Sequence, residues 1–274
     1  MFKHLLLATD FSKAALLATG AARDIAHQLG AKITLVNVLG PKDGQTAAER
    51  MRYLEVVRDD RLSGVETELA VLEHASPSVA IAEHVAKVGA DLVVAGRHGE
   101  HSLAEKLIGS TTERLARQVS SSVFVAHPAK RDPLSLARHI LVGTDFSDES
   151  EPALKVAASL ARAFESKVTL MHVYDIVPPV DMLDIPESDD SHVTGVLDAR
   201  LAALAEEHFG GLMVDLKLIR DKSTVTAMCD WAGDHHVDIT VLGTHGFTGV
   251  KRLLLGSIAE RVIRHSPSSV LVVR

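Results

Sequence analysis

Short runs of consecutive apolar residues alternate along the chain with longer segments in which apolar positions return every three or four residues. In the first half the short runs are "HLLLAT" (4–9), "KITLVNV" (32–38), "VETELAVL" (65–72), "DLVVAG" (91–96) and "SVFVAH" (122–127). Their near-continuous apolar character predicts strands of a sheet covered on both faces. Between them lie "SKAALLATGAARDIAHQLG" (12–30), a stretch from about 45 to 62, "SPSVAIAEHVAKVG" (76–89) and "STTERLARQVS" (110–120). The spacing there is mostly helical, and Gly30 and Gly89 supply C-terminal stops. The order β-α-β-α-β-α-β-α-β predicts an open, mostly parallel, doubly wound α/β sheet with right-handed crossovers.

The second half repeats the plan. "HLLLATDFS" (4–12) returns as "HILVGTDFS" (139–147), with six of nine positions identical, and "KITLVNV" returns as "KVTLMHV" from Lys167. Residues 91–127 align without gaps to 238–274, with 15 of 37 identical. The offset is 135 early in each half and 147 later, so the second half carries 12 extra residues between Tyr174 and Gly211. Internal repetition of this kind sets the domain count at two. The halves fall at 1–128 and 138–274, joined by a linker over 129–137. The extra residues sit in an acidic, proline-interrupted stretch, "YDIVPPVDMLDIPESDDSH" (174–192). Its acidic spacing does not fit an EF-hand, and it lacks the central glycine. The expectation over 175–192 is a solvated loop or lid.

Composition narrows the function. The chain has 274 residues, 46% hydrophobic and 24% charged, which suits two globular domains and argues against disorder. A formal net charge of -7 disfavours general attraction to nucleic acid or anionic lipid. No signal-peptide pattern or bilayer-length apolar run is evident, and the single cysteine, Cys229, excludes an intrachain disulfide. These features read as a cytoplasmic protein without membrane or nucleic-acid partners.

The chemistry sits in a repeated glycine frame. "GRHGEHSLAEKLIGS" (96–110) and "GTHGFTGVKRLLLGS" (243–257) both read Gly, two residues, Gly, nine residues, Gly-Ser. In open α/β sheets ligands bind beyond the carboxyl ends of the strands, where strand order reverses. Gly96 and Gly243 end fourth strands, Gly99 and Gly246 lie just beyond, and the Gly-Ser pairs Gly109-Ser110 and Gly256-Ser257 open helices. Free N–H groups at a helix start, aided by a hydroxyl, favour phosphate. The same glycines could serve as plain turns; their recurrence at one place in both halves favours the ligand reading. The halves differ, because Lys251 and Arg252 of the second correspond to Ala104 and Glu105 of the first. Charge therefore favours tighter anion binding in the second half, unless these side chains point outward and leave both sites competent.

On these residues the chain resembles the universal stress proteins in tandem form, whose nucleotide motif is G-x2-G-x9-G-[ST]. The resemblance covers nearly the whole length. It implies two Rossmann-like domains of the adenine nucleotide alpha hydrolase-like kind, each a five-stranded sheet ordered 3-2-1-4-5 with ATP at the strand ends. It also implies that Asp10 and Asp145 meet the ribose and adenine side, and that the backbone of Val38 and Val173 contacts adenine. Ser110 and Ser257 would bind phosphate, while Thr111 and Ile258 add backbone N–H groups. Thr9, Thr144 and His245 complete the expected site, and Mg2+ would be held mainly through the phosphates. The residues alone allow another role for Asp10 and Asp145, since each precedes a helix that it, Ser12 or Ser147 could cap.

No Walker sequence or G-x-S-x-G elbow is present, so neither a P-loop NTPase nor a serine hydrolase is read from the chain. Binding by a sensor or regulator is expected ahead of catalysis, with slow Mg2+-dependent ATP hydrolysis or a purely structural interaction module as the alternatives. No metal-ligand set is assigned: His98, His101, His235 and His236 read as surface residues, and Cys229 as a half-buried structural thiol. The family pairs its last strands into dimers. The resemblance thus implies an intrachain pseudo-dimer of the two halves, able to form a homodimer and to meet an unidentified protein partner.

Overall fold

A computed structural model of the chain describes residues 1–97, 109–127, 137–175, 191–244 and 255–274. The first half runs β1 (His4–Ala8), α1 (Lys13–Leu29), β2 (Lys32–Leu39), α2 (Ala47–Arg61), β3 (Thr67–Glu73), α3 (Pro77–Val88), β4 (Leu92–Gly96), α4 (Ser110–Gln118) and β5 (Ser122–Ala126). The second half repeats it as β6 (His139–Gly143), α5 (Glu151–Phe164), β7 (Lys167–Tyr174), α6 (Ser191–Phe209), β8 (Val214–Arg220), α7 (Thr224–Asp234), β9 (Ile239–Gly243), α8 (Ser257–His265) and β10 (Ser269–Val273). Helix boundaries follow local chemistry. Gly30 and Gly89 close α1 and α3 in the left-handed conformation, and Thr46 with Glu49 forms a reciprocal capping box at the start of α2. The acidic stretch expected to remain a loop to residue 192 is shorter than that, because α6 begins at Ser191. At 19 residues against 15 in α2, α6 takes up four of the extra residues as helix. Residues 176–190 lie outside the described residues.

The ten strands form one sheet in the order β3-β2-β1-β4-β5-β10-β9-β6-β7-β8, which is 3-2-1-4-5 in each half. All pairings are parallel except β5 with β10, where Val125 faces Val270 and Val123 faces Val272. Because side chains alternate faces along a strand, consecutive apolar residues fill two cores. Leu5 and Leu7 pack with α1, α2, α5 and α6, whereas Leu6 points to the opposite core with α3, α4, α7 and α8. All three leucines are fully buried, which is why these strands read as unbroken apolar runs. Among the described residues no helix is long and apolar enough to cross a membrane.

The contacts where β5 meets β10 come in pairs related by the 147-residue offset. The His127 N–H donates to Ser269 Oγ and the Arg274 N–H to Ser122 Oγ, both at 3.2 Å. Beside them Arg117 bonds Glu260 at 2.6 Å and Arg264 bonds Glu113 at 3.1 Å, so α4 and α8 exchange equivalent ion pairs. These pairs are part-exposed and add little; the strand pairing and the buried apolar residues around it hold the junction.

Histidines occupy matched places as well. His4 Nε2 and Thr34 Oγ1 lie 2.7 Å apart, and His139 Nε2 and Thr169 Oγ1 2.8 Å apart. Burial is the largest cause holding His4, His84, His139 and His172 below the ordinary histidine pKa. The folded state therefore binds fewer protons than the unfolded chain once pH falls below about 6.5. Stability from these groups is present above that pH and lost below it. The thermal midpoint is expected to be lower at pH 5.5 than at pH 7.5, with a flatter dependence in the His139→Gln variant; an equal slope in that variant would remove His139 from the account.

Candidate functional site

The two halves build the same turn at the carboxyl end of their first strand. The Thr9 N–H donates to Val36 O at 2.9 Å and the Thr144 N–H to Met171 O at 3.0 Å, which extends strand pairing one residue past β1 and β6. The next residues turn sharply, with Phe11 and Phe146 both at φ 64°, a region that costs energy for a bulky side chain. Side chains hold the turn. Thr9 Oγ1 and Thr144 Oγ1 accept from the N–H of Phe11 and Phe146, each at 3.0 Å. Asp10 Oδ1 and Asp145 Oδ1 accept from the N–H of Ser12 and Ser147, each at 3.1 Å. Both aspartates thus have a structural task in an Asx-type turn, and Ser12 is the residue that caps α1, its Oγ accepting from the Ala15 N–H at 3.2 Å. In the second half a 3-10 turn over Asp148–Ser150 precedes α5, and Ser147 Oγ instead donates to Asp145.

Behind each turn stands a polar residue of the second strand that sequence reasoning passed over. Asn37 Nδ2 donates to Thr9 O at 2.8 Å, and His172 Nδ1, 135 positions on, lies 2.8 Å from Thr144 O. The burial-lowered pKa of His172 keeps its ring neutral with the proton on the nitrogen facing that carbonyl. A detectable signal existed, namely one polar residue at the same place in two apolar strands, "KITLVNV" and "KVTLMHV".

The glycine frames have a backbone explanation of their own. The Gly109 N–H donates to Arg97 O and the Gly256 N–H to Thr244 O, both at 2.7 Å. Each frame therefore leaves the sheet and returns to the same point before its helix starts. Gly109 and Gly256 are N-caps in extended conformation with no side-chain cap bond, so no cap side chain takes up the first-turn amides at Ser110 and Thr111 or at Ser257 and Ile258. Ser110, Ser257 and Ile258 are exposed there. Gly96 is glycine for packing: a Cβ on it would lie 2.7 Å from both the carbonyl carbon and the oxygen of Ala14 in α1. Gly143, equivalent to Ala8, likewise packs closely, against Met228 and Leu242.

Adjacent strands bring these pieces together. β1 pairs with β4 and β6 with β9, so the Asp10 and Asp145 turns stand beside Gly96 and Gly243 where strand order reverses. Val38 and Val173 sit half-buried near the ends of β2 and β7, one strand over. Gly99, His245 and Gly246 lie outside the described residues, as do His98, His101, Lys251, Arg252, Ala104 and Glu105. Of the remaining candidates, Cys229 is half-buried and its thiol is pushed up to about 11, chiefly by burial, which makes it a poor nucleophile at neutral pH. His235 stacks on Trp231 at 3.6 Å.

The fold and its twin strand-end turns define a tandem pair of Rossmann-like domains, each with a topological switch point between its first and fourth strands. The universal stress protein family model matches residues 1–127 and again 137–274, and the chain belongs to that family. Universal stress protein E of Escherichia coli K12 is 28% identical over 223 residues, covering 77% of this chain and 69% of the relative. A universal stress protein of Methanocaldococcus jannaschii is 29% identical over 158 residues, covering 55% of this chain and 90% of the relative. In three dimensions the chain is similar over 99% of its length to a universal stress protein from Archaeoglobus fulgidus, 98% of which is covered, with a TM-score of 0.69 at 18% identity. A Pseudomonas aeruginosa protein superposes with a TM-score of 0.72 at 15% identity, covering 99% and 93% of the two chains. Membership brings the coarse role, a part in the stress response.

Proposed function

We propose that the protein binds adenine nucleotide, ATP above all, and acts as a cytoplasmic stress sensor or regulator rather than as an efficient enzyme. The observation that carries this reading is the shared backbone closure of the two glycine frames. Gly109 and Gly256 each return the chain to the strand end and start a helix without a side-chain cap, next to an aspartate turn. Such a helix start attracts phosphate through its amides and dipole, and Ser110 or Ser257 adds a hydroxyl. Both aspartates are half-buried at the strand ends, a placement suited to ribose hydroxyls, and the backbone of Val38 and Val173 lies within the same strand-end region. Mg2+ would arrive with the phosphates. The antiparallel β5–β10 junction supports a pseudo-dimer of the two halves within one chain.

Calorimetric titration of the nucleotide-stripped protein with ATP tests the reading. Binding is expected, with the tighter event in the second half, where the sequence places Lys251 and Arg252. Gly256→Val adds a side chain at the helix start and is expected to weaken that event at least about tenfold, which corresponds to about 1.4 kcal/mol. Unchanged ATP affinity in this variant would overturn the placement of the site. Single-turnover measurement with Mg2+ separates binding from slow hydrolysis.

A further inference from the structure

A cavity of about 350 Å3 opens between the start of α5 and the end of α6, with Phe146, Ser147, Glu151, Arg200, Glu207 and His208 in its wall. Three of these bring metal-ligating atoms together: one atom each from Glu151, Glu207 and His208 lies within 4.8 Å of the other two. The His208 side chain is only 7% exposed, with Nε2 4.0 Å from Glu207 Oε1. Among the described residues its ring makes no hydrogen bond. The imidazole thus lies within ion-pair range of Glu207 without a hydrogen bond to it and shares the cavity wall with Glu151, an arrangement that a bound cation would complete.

We propose that Glu151, Glu207 and His208 form a binding site for a divalent transition metal ion, Zn2+ being the best fit. One imidazole nitrogen and two carboxylate oxygens make a three-donor set of the kind zinc accepts, with water in the fourth position. Donors around zinc at bond lengths of about 2 Å sit closer together than 4.8 Å, so the ligands must draw in. The scaffold permits this, because the Glu207 side chain is 68% exposed and has open space to turn into, whereas the helices are pinned where they meet. Arg162 Nη2, from α5, donates to His208 O at 3.0 Å and to Gly210 O at 3.4 Å.

Two cations share the neighbourhood. Lys155 Nζ lies 2.6 Å from Glu151 Oε1, but the lysine side chain is 63% exposed and yields to a divalent ion. Arg200 lies with its guanidinium carbon 4.3 Å from the centre of the Phe146 ring, engaged with the aromatic face. The repeat shows that the fold does not dictate the trio, for the equivalent positions in the first half are Leu16, Asp60 and Arg61. The site belongs to the second half alone, and it abuts the Asp145 turn through Phe146 and Ser147.

The test uses the full chain, stripped with chelator and titrated with Zn2+ against a chromophoric competitor, and with Co2+ for its visible absorption. One Zn2+ per chain is expected to bind at micromolar concentration or tighter and to raise the thermal midpoint. His208→Ala is expected to weaken it at least tenfold and abolish the midpoint shift, and Glu207→Gln, at an exposed position that does not threaten folding, to weaken it severalfold. His235→Ala, at the C-terminal cap of α7 on the other face of the sheet, is expected to leave it unchanged. Equal Zn2+ affinity in wild type, His208→Ala and Glu207→Gln, or no binding at about 100 micromolar Zn2+, would overturn the proposal. ATP titration of His208→Ala separates this outcome from the nucleotide reading, which predicts retained ATP binding.

Discussion

Gly96→Val is expected to destabilise the protein by about 3 kcal/mol or more. A Cβ at this position would sit 2.7 Å from the carbonyl carbon and oxygen of Ala14 and 3.0 Å from the Ala15 nitrogen. These are backbone atoms of the first turn of α1, so no side chain can swing aside to make room. β4 cannot yield either, being hydrogen-bonded to β1 on one side and β5 on the other. The helix must therefore move off the sheet and break the contacts of Ala15 and Ala18, both buried. Urea unfolding should show a lower midpoint at unchanged slope, with Gly96→Ala intermediate. A loss within about 0.5 kcal/mol for Gly96→Ala would show that α1 sits more loosely on β4 than described. The argument also bears on function, because weaker nucleotide binding by a Gly96 variant would report a displaced helix before it reported a lost ligand contact.

Arg97→Ala is expected to cost about 3 kcal/mol, with Arg97→Met costing about half as much. Arg97 is 5% exposed and crosses between the halves. Its Nη1 donates to Ser266 O at 2.7 Å and its Nη2 donates to Arg264 O, both at the carboxyl end of α8. Two effects oppose each other. Burial without a carboxylate partner is unfavourable, as the lowered guanidinium pKa and the unpaired Nε record. Against that, the carbonyls at a helix end carry partial negative charge, and Ser266, at 1% exposed, would have a carbonyl left without its donor. The unpaired carbonyl decides the sign, and alanine adds a void that methionine fills. Faster hydrogen exchange in β5 and β10 should accompany the loss of stability. A neutral Arg97→Met would mean that desolvation of the guanidinium cancels both bonds.

Local chemistry was legible in the sequence and distant contacts were not. The strands stood out because both sheet faces are covered, so that Leu5, Leu6 and Leu7 are all apolar. Helix ends were readable where glycine adopts a left-handed cap, at Gly30 and Gly89. The acidic loop was expected to run to residue 192, past the start of α6 at Ser191, because prolines and acids upstream gave no sign of where helix resumes. In the candidate site, the Thr-Asp-Phe-Ser turn was visible as a repeated string, but its division of labour was not. Asp10 holds the turn while Ser12 caps the helix, and two acceptors so close in sequence could have exchanged those roles. Gly96 was read from its place in the ligand frame, and spacing gave no sign that a Cβ there would also meet Ala14, 82 positions away. Arg97 and the trio at Glu151, Glu207 and His208 depend on pairings across the fold, and spacing along a chain carries no trace of them.

The antiparallel seam between β5 and β10 lies within a single polypeptide, and that changes what evolution can do with it. When two identical subunits meet across such a seam, every substitution is made twice and any novelty must be tolerated on both sides. Here a cationic strut at residue 97 has a threonine, Thr244, as its counterpart in the other half, and a histidine with two glutamates stands in one half only. Tethering also keeps the partners at high effective concentration, so dilution does not part them. The duplicated architecture is thus free to specialise, one half drifting from the other while the joint between them stays shut.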